Sequence, residues 1–429
     1  MFSISKKSVI SGVLALFTIA LMPACGGGGS SSGGGSNNNP PPPQGTQVSI
    51  TFAGSAPTVV AEQIGTGSWA SASLSGGVLS LTIPQGTSIY GIAYLCPQYQ
   101  GMGPIIPENI LYATTSDPTT YTLTCFTFPA TGTVTGNVNV SAIATATNAD
   151  VFGGFGQSQF LSGTSGVFSF AVPTGTNDIA AVALDSSNDV VGVKFARSQT
   201  SPGSVNNGSA ITLASTDATT TQTIVITNEP TGFTSSPAVS AQYVTSNGTF
   251  FGLSNSTGTQ YAVVPSSEAQ STDYYIFSAN NSSQVQIGQN IGVTQSVAAV
   301  PVPTTVSLAF PQPLPYVAPT PAALPTFTLN YTGFSGQTFV SYIGNIQWFT
   351  GGSTDNDVTV TATAAYQNGA TTLSIPDLSA VFGFLTPPAS GTAVDWFAYV
   401  YGGTYASYSQ TPASGNVSWL QNEGQFTTP

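Results

Sequence analysis

The chain has no histidine, and beyond residue 24 only Lys194 and Arg197 are basic, against 16 acidic residues, a formal charge of −14. Without an imidazole there is no general base for a serine or cysteine nucleophile of the histidine-dependent kind. Two sulfurs with no histidine do not complete a zinc shell. Two basic side chains cannot track a phosphate backbone, so nucleic acid and anionic lipid headgroups are poor partners. No window places apolar residues three and four apart with charge on the opposite face, so amphipathic surface helices are not expected. Nothing in these absences calls for a cofactor or a resident metal.

Charged residues make up only 5% of the chain, where roughly 25% is usual. Solubility must therefore come from Ser, Thr, Asn, Gln and Gly. One reading is an acidic setting, in which protonated carboxylates leave a protein with almost no bases nearly uncharged. The other is an exported β protein with an uncharged polar surface.

Residues 1–24 read as an export signal, with Lys6 and Lys7 ahead of an apolar run from Val9 to Met22. That run, about fourteen residues, is too short to span a bilayer. Cys25 follows Ala24, a small residue at the expected cut, and the segment resembles a bacterial lipoprotein signal, in which the cysteine is lipidated and becomes the new N-terminus. It departs from that pattern at Met22 and Pro23, where the family prefers leucine and a small residue. A simple cut after Ala24, leaving Cys25 as a terminal thiol, is the other reading. Residues 25–46 then form a flexible tether, glycine and serine first and Pro40 to Pro43 after, able to hold a folded body roughly 25 Å from a surface. Gly26 stands where the family's inner-membrane proteins carry an acidic residue, so the resemblance implies the outer membrane or cell surface.

From about Val48 onward, short alternating runs rich in Val, Ile, Thr, Tyr and Phe are separated by Gly, Asn, Ser and Pro. This predicts an all-β chain of tandem antiparallel sandwiches after a disordered tether. "LSLTIPQGTSIYGIAYL" (79–95) aligns without a gap on "FSFAVPTGTNDIAAVAL" (168–184). Leu79, Leu81 and Ile83 should share one face, as should Phe168, Phe170 and Val172; Pro84 and Pro173 end the strand, and Gly86 and Gly175 supply the turn. Downstream, "TTSDPTTYTLTCF" (114–126) matches "ASTDATTTQTIVI" (214–226), with Asp117 on Asp217 and an extra loop of 11 residues in the second unit. Weaker echoes at 261–265 and 371–376 suggest two further units. The expected division is 47–130, 131–230, 231–310, a proline-rich linker over 311–325, and 326–429, with the last domain set apart from the other three.

The strand-Pro-x-Gly-Thr-strand signature, with "GTVTGNVNV" (132–140), resembles bacterial carboxypeptidase-regulatory-like and related immunoglobulin-like sandwiches over the first two units. The resemblance implies a fold and a structural or binding role, and brings no catalytic residues. Cys96 and Cys125, the only other cysteines, read as one disulfide in an exported protein, worth roughly 3–4 kcal/mol on the chain-entropy model.

Other candidates are few. Lys194 lies in an alternating strand, "VVGVKFARSQ", and is expected to point to water rather than to activate a serine or form an isopeptide. Asp185 with Asp189, and Asp355 with Asp357, have the ligand type of a calcium loop but not its spacing, and read better as turns. No two acids are placed in one cleft for glycoside cleavage, so no catalytic residue is assigned and the chain is not expected to be an enzyme. The stretch "VDWFAYVYGGTYASYSQ" (394–410) is the most informative. Val394, Trp396, Ala398 and Val400 fall on one strand face, and Phe397, Tyr399 and Tyr401 on the other, with Tyr405 and Tyr408 beyond a glycine turn. A row of exposed rings would suit a polysaccharide; rings covered on both faces would only stabilise the sheet. The expectation is a lipid-anchored exported protein with a structural or adhesive display role, its partners the membrane through the anchor and another surface protein, or else a polysaccharide stacked on these rings.

Overall fold

The computed structural model describes residues 45–97, 105–125, 129–233, 236–255, 258–299, 305–331, 338–351, 354–403 and 415–429. The signal, Cys25 and the tether as far as residue 44 lie outside them, while Thr46, expected in the tether, already opens the first strand. Almost every described element is a strand, and the sheets stack in pairs as sandwiches.

In the first sandwich the alternation of Thr46–Gly54 and Val78–Ile83 buries Val48, Ile50, Leu79, Leu81 and Ile83. They pack against Val60, Tyr90, Ile92 and Leu111 of the strands opposite. Thr46–Gly54 pairs antiparallel with Val78–Ile83 and parallel with Thr120–Cys125. Cys96 and Cys125, both buried, are joined as a disulfide at an S–S distance of 2.04 Å.

The repeated Pro-x-Gly-Thr segment does the same work in both units: it is a corner where the chain leaves one sheet for the other. Val78–Ile83 and Ile89–Leu95 lie in different sheets, as do Ser165–Pro173 and Gly175–Leu184. Gly86 and Gly175 turn these corners at φ 90° and 106°, a region that disfavours side chains. Asp117 and Asp217 also share a role. Each carboxylate accepts the backbone N–H three residues earlier, Thr114 at 2.8 Å and Ala214 at 2.8 Å.

The units part at their closing strands. Thr120–Cys125 completes the first sandwich, whereas Thr220–Thr227, expected to close the second, pairs with Gln260–Val263 and Val306–Ala309 in the third. Its place beside Thr131–Asn139 is filled, also in parallel, by Gly203–Ser204 and Ile211–Thr212. Both come from the longer loop of the second unit, so the insertion supplies the strand and frees the original one.

A second departure is larger. Four C-terminal strands, Thr338–Thr350, Thr354–Thr363, Ala393–Gly403 and Gly415–Thr427, are not a body set apart by a spacer. They lie in the middle of one twelve-stranded sheet. On one side Thr354–Thr363 pairs in parallel with Ile105–Thr114 of the first sandwich. On the other, Gly415–Thr427 pairs antiparallel with Gln289–Ala299 of the third. The proline-rich segment 311–325 is not a free spacer either: Leu314 is buried in the core, the Tyr316 ring lies 6.0 Å from that of Trp396, and the Pro315 carbonyl accepts Asn422 Nδ2 at 2.9 Å. Together with Phe327, Leu329, Leu373, Leu378 and Phe384 it covers one face of the central strands. The cover sits close: a Cβ on Gly344 would come within 2.3 Å of the Phe327 ring.

The second and third sandwiches meet through Val182, Phe195, Tyr243 and Phe251, and both bases of the folded body sit at this contact. Arg197 pairs with Asp178 at 3.0 Å and with Asp273 at 2.7 Å, and its guanidinium lies 3.8 Å above the Phe195 ring. Lys194 pairs with Asp217 at 2.9 Å and Glu268 at 3.7 Å rather than pointing freely to water. Removing one member of a buried ion cluster leaves the others uncompensated, typically at about 3–5 kcal/mol. Arg197→Ala should therefore lower stability by that order in urea denaturation, well beyond what an exposed substitution such as Glu229→Gln does.

The buried acids give stability an unusual pH dependence. Burial pushes Glu108, 3% exposed at the parallel seam, up to about 7, although it accepts the Leu385 N–H at 2.9 Å. Burial likewise raises Asp150 to about 6, against a backbone hydrogen bond from Val151. A carboxyl whose pKa is raised on folding binds its proton more tightly in the folded chain, so stability grows as pH falls through about 7 toward the ordinary carboxylate range near 4. Asp178 is the reverse case. Burial raises it, but Asn247, the Ser198 N–H and Arg197 outweigh that and hold it low, so its contribution is lost only below that range. The urea midpoint should be higher at pH 5 than at pH 7.5. Glu108→Gln should flatten that rise, removing up to about 3 kcal/mol of the difference for a carboxyl raised from 4.5 to about 7.

Candidate functional site

The strand Ala393–Gly403 alternates as its sequence predicts. Val394, Trp396, Ala398 and Val400 are buried under the proline-rich cover, and Phe397, Tyr399 and Tyr401 stand half-buried on the outer face. Trp396 fits because its strand neighbour is Gly424, where a Cβ would lie 3.0 Å from the indole. Tyr405 and Tyr408 lie outside the described residues.

The outer rings form a row. Phe397 and Tyr399 are 6.3 Å apart with their ring planes nearly parallel, at 7°. Tyr401 follows at 6.2 Å, and Trp419 of the next strand extends the row at 6.1 Å and 27°. Trp419 is not singled out by the sequence stretch around the tyrosines. Its signal is the alternation of "NVSWLQNEGQF", which puts Trp419, Gln421 and Glu423 on one face opposite Tyr401, Tyr399 and Phe397.

A polar rim surrounds the rings. On one side Asp357 accepts Asn345 Nδ2 at 2.6 Å, Gln347 Nε2 at 2.9 Å and Thr359 Oγ1 at 3.1 Å. On the other, Glu423 accepts Asn290 Nδ2 at 2.7 Å and also Gln421 Nε2. Asp395, at the end of the row, accepts Gln425 Nε2 at 2.9 Å. Burial pushes Asp357 above the usual carboxylate range, opposed by its amide and hydroxyl donors. Burial raises Tyr401 to about 12. It raises Tyr399 further, with smaller contributions from Tyr401, Glu423 and Asp357.

The remaining candidates resolve differently. Asp185 Oδ1 accepts the Ser187 and Asp189 N–H groups at 2.8 and 2.9 Å, which makes "DSSND" a hydrogen-bonded turn. Asp355 and Asp357 belong to the strand Thr354–Thr363 rather than to a turn. Among the described residues no three Cys, Asp or Glu side chains gather as a metal site. A separate cleft of about 490 Å³ opens between the second and third sandwiches, lined by Asp150, Phe152, Phe160 and Gln242.

No family model matches the chain, and no curated protein matches it. Among solved structures it is similar to the Bacillus anthracis TIE protein, at 11% identity and a TM-score of 0.15, over 62% of this chain and 50% of that one. The chain thus spans half the length of that structure, and a likeness at this TM-score carries no argument about function.

The two faces of Ala393–Gly403 should respond differently to truncation. Trp396→Ala should cost about 3–5 kcal/mol, as for a core tryptophan. Tyr399→Ala, which loses mainly its ring neighbours, should cost about 0.5–1.5 kcal/mol. Equal losses in chemical denaturation would mean that the outer rings are core.

Proposed function

We propose that the protein is an exported, lipid-anchored surface protein whose β-sandwiches form a rigid display body. Its role is binding or adhesion rather than catalysis. The polarity of the molecule carries this reading. Gly45, where the described chain begins, lies against Ile83 and Pro84 and beside the 84–88 corner and Thr115. The register Ile89↔Thr114 to Leu95↔Glu108 runs away from that end. At the far end stand Phe382, 93% exposed beside the Gly383 that abuts Val59, and Phe349, 47% exposed at the tip of a hairpin. A lipid on Cys25 would thus hold one end near the membrane and leave the other facing outward. The Cys25-lipid reading itself rests on residues 1–46, by their resemblance to a lipoprotein signal.

A second reading, polysaccharide binding, is favoured by the row Phe397, Tyr399, Tyr401 and Trp419 with its amide and carboxylate rim. Half-buried rings on a sheet face can stack on sugars, while fixed amides orient hydroxyls.

The anchor is tested by fatty-acid labelling and fractionation in a bacterial host. The wild type should take up label and partition with membranes, and Cys25→Ala should lose the label and appear in the soluble exported fraction. An unlabelled, soluble wild type would sink the anchored reading. Glycan retention is best measured on the whole mature chain, since the C-terminal strands are hydrogen-bonded into the sheet on both sides.

A further inference from the structure

Resting on the polysaccharide reading, we propose that the outer face of the central strands takes a cationic amino-sugar chain. The rings Phe397, Tyr399, Tyr401 and Trp419 stack against sugar rings, and Glu423 and Asp395 receive their ammonium groups.

Three observations select this class over neutral and acidic glycans. The first is the absence of a competing cation. Three carboxylates border the row, and the partners given above for each are amides and a hydroxyl. An ionised carboxylate offers about four acceptor sites. Glu423 takes one amide on each oxygen, so both oxygens keep capacity for a charged donor. Ammonium-to-carboxylate hydrogen bonds are roughly twice as strong as neutral ones.

The second is that the bases are spent elsewhere. Lys194 and Arg197 are held by Asp217, Glu268, Asp178 and Asp273 at the contact of the second and third sandwiches. Neither can meet a uronate or sulfate on this face. With a mature charge of −14, an acidic polymer is repelled and a cationic one is steered in.

The third is the rings themselves. Tyrosine and tryptophan faces attract cations as well as sugar C–H edges, tryptophan most strongly. The register places Glu423 directly opposite Phe397, and Gln421 opposite Tyr399. A chain lying along Ala393–Gly403 therefore meets rings and acids at neighbouring positions.

The test uses the mature chain with its disulfide intact and Cys25 removed, titrated by calorimetry at pH 6 with three probes: a soluble glucosamine oligomer, its fully N-acetylated counterpart and a neutral glucan oligomer. The glucosamine oligomer should bind at least tenfold more tightly than the other two. Glu423→Gln should weaken it fivefold or more without changing the N-acetylated oligomer. Tyr399→Ala should weaken every probe that binds, with Tyr399→Phe retaining binding as a control for folding. Equal affinity for the three oligomers would overturn the amino-sugar assignment and leave the ring platform standing. No binding by any of them would remove both. If Glu229→Gln, exposed just after the strand Thr220–Thr227 and outside the ring row, weakens glucosamine binding as much as Glu423→Gln does, the attraction is general and the site is wrong.

Discussion

Two hydrogen-bonded seams hold the architecture together: Ile105–Thr114 with Thr354–Thr363, and Gln289–Ala299 with Gly415–Thr427. Each joins strands from different sandwiches, so separating the parts would expose two rows of backbone donors and acceptors and the buried residues beneath them. The first seam is parallel and carries the buried Glu108. The second brings Asn290 to Glu423 and so completes the rim of the ring row. The sheet then ends in two very short strands, Phe250–Gly252 and Ala70–Ser71, which offer little edge for another chain to extend. A sheet of twelve strands is kept finite in this way.

With so few bases, the chain has to satisfy its acids by other means. Both cations are concentrated at one contact, where four carboxylates share them. Elsewhere the work falls to neutral donors: amides at Asp357, Glu423 and Asp395, backbone N–H groups at Asp117, Asp185 and Glu108, a hydroxyl from Thr363 at Asp117. Neutral donors do not depend on a partner's charge. A protonated carboxyl still has an oxygen to accept such bonds, so this wiring suffers less from acid than ion pairs would. The same composition that makes the surface poor in charge thus makes the interior tolerant of protonation.

Alternation was the most legible feature. It located the buried faces at Leu79, Leu81 and Ile83 and at Trp396, and the outer rings at Phe397, Tyr399 and Tyr401, because a strand's two faces are set by a period of two whatever its partner. The repeated corner and the Asp117 and Asp217 pair were legible for a similar reason: each is closed by contacts a few residues away. The seams were not. Asp355 pairs with Ile105 across some 250 residues, and no local pattern records which edge a strand will meet. The proline segment misled through composition. The prolines suggest a free extended spacer, but Leu314, Tyr316 and Leu324 between them carry the apolar surface that pins it to the sheet. Of the ring site, the row was readable and the rim was not, since Asn290 and Asp357 reach it only through pairing.

The covering of the great sheet changes sides along its width, and this defines the site. Pairing keeps residues directly across from one another on the same face, so the face that bears Tyr399 continues through Ile343 and Thr361 to Leu111. At Leu111 that face is already buried under the small sheet of the first sandwich. At Tyr399 the cover lies on the opposite side, supplied by Leu314, Phe327 and the residues packed with them. The open part of the face therefore stops where the first sandwich rises from it, about 10 Å tall at the spacing of stacked sheets. A polymer bound as proposed would be turned away from that wall, and on the other side the face continues through Gln421 and Gly292 to the exposed Ser282.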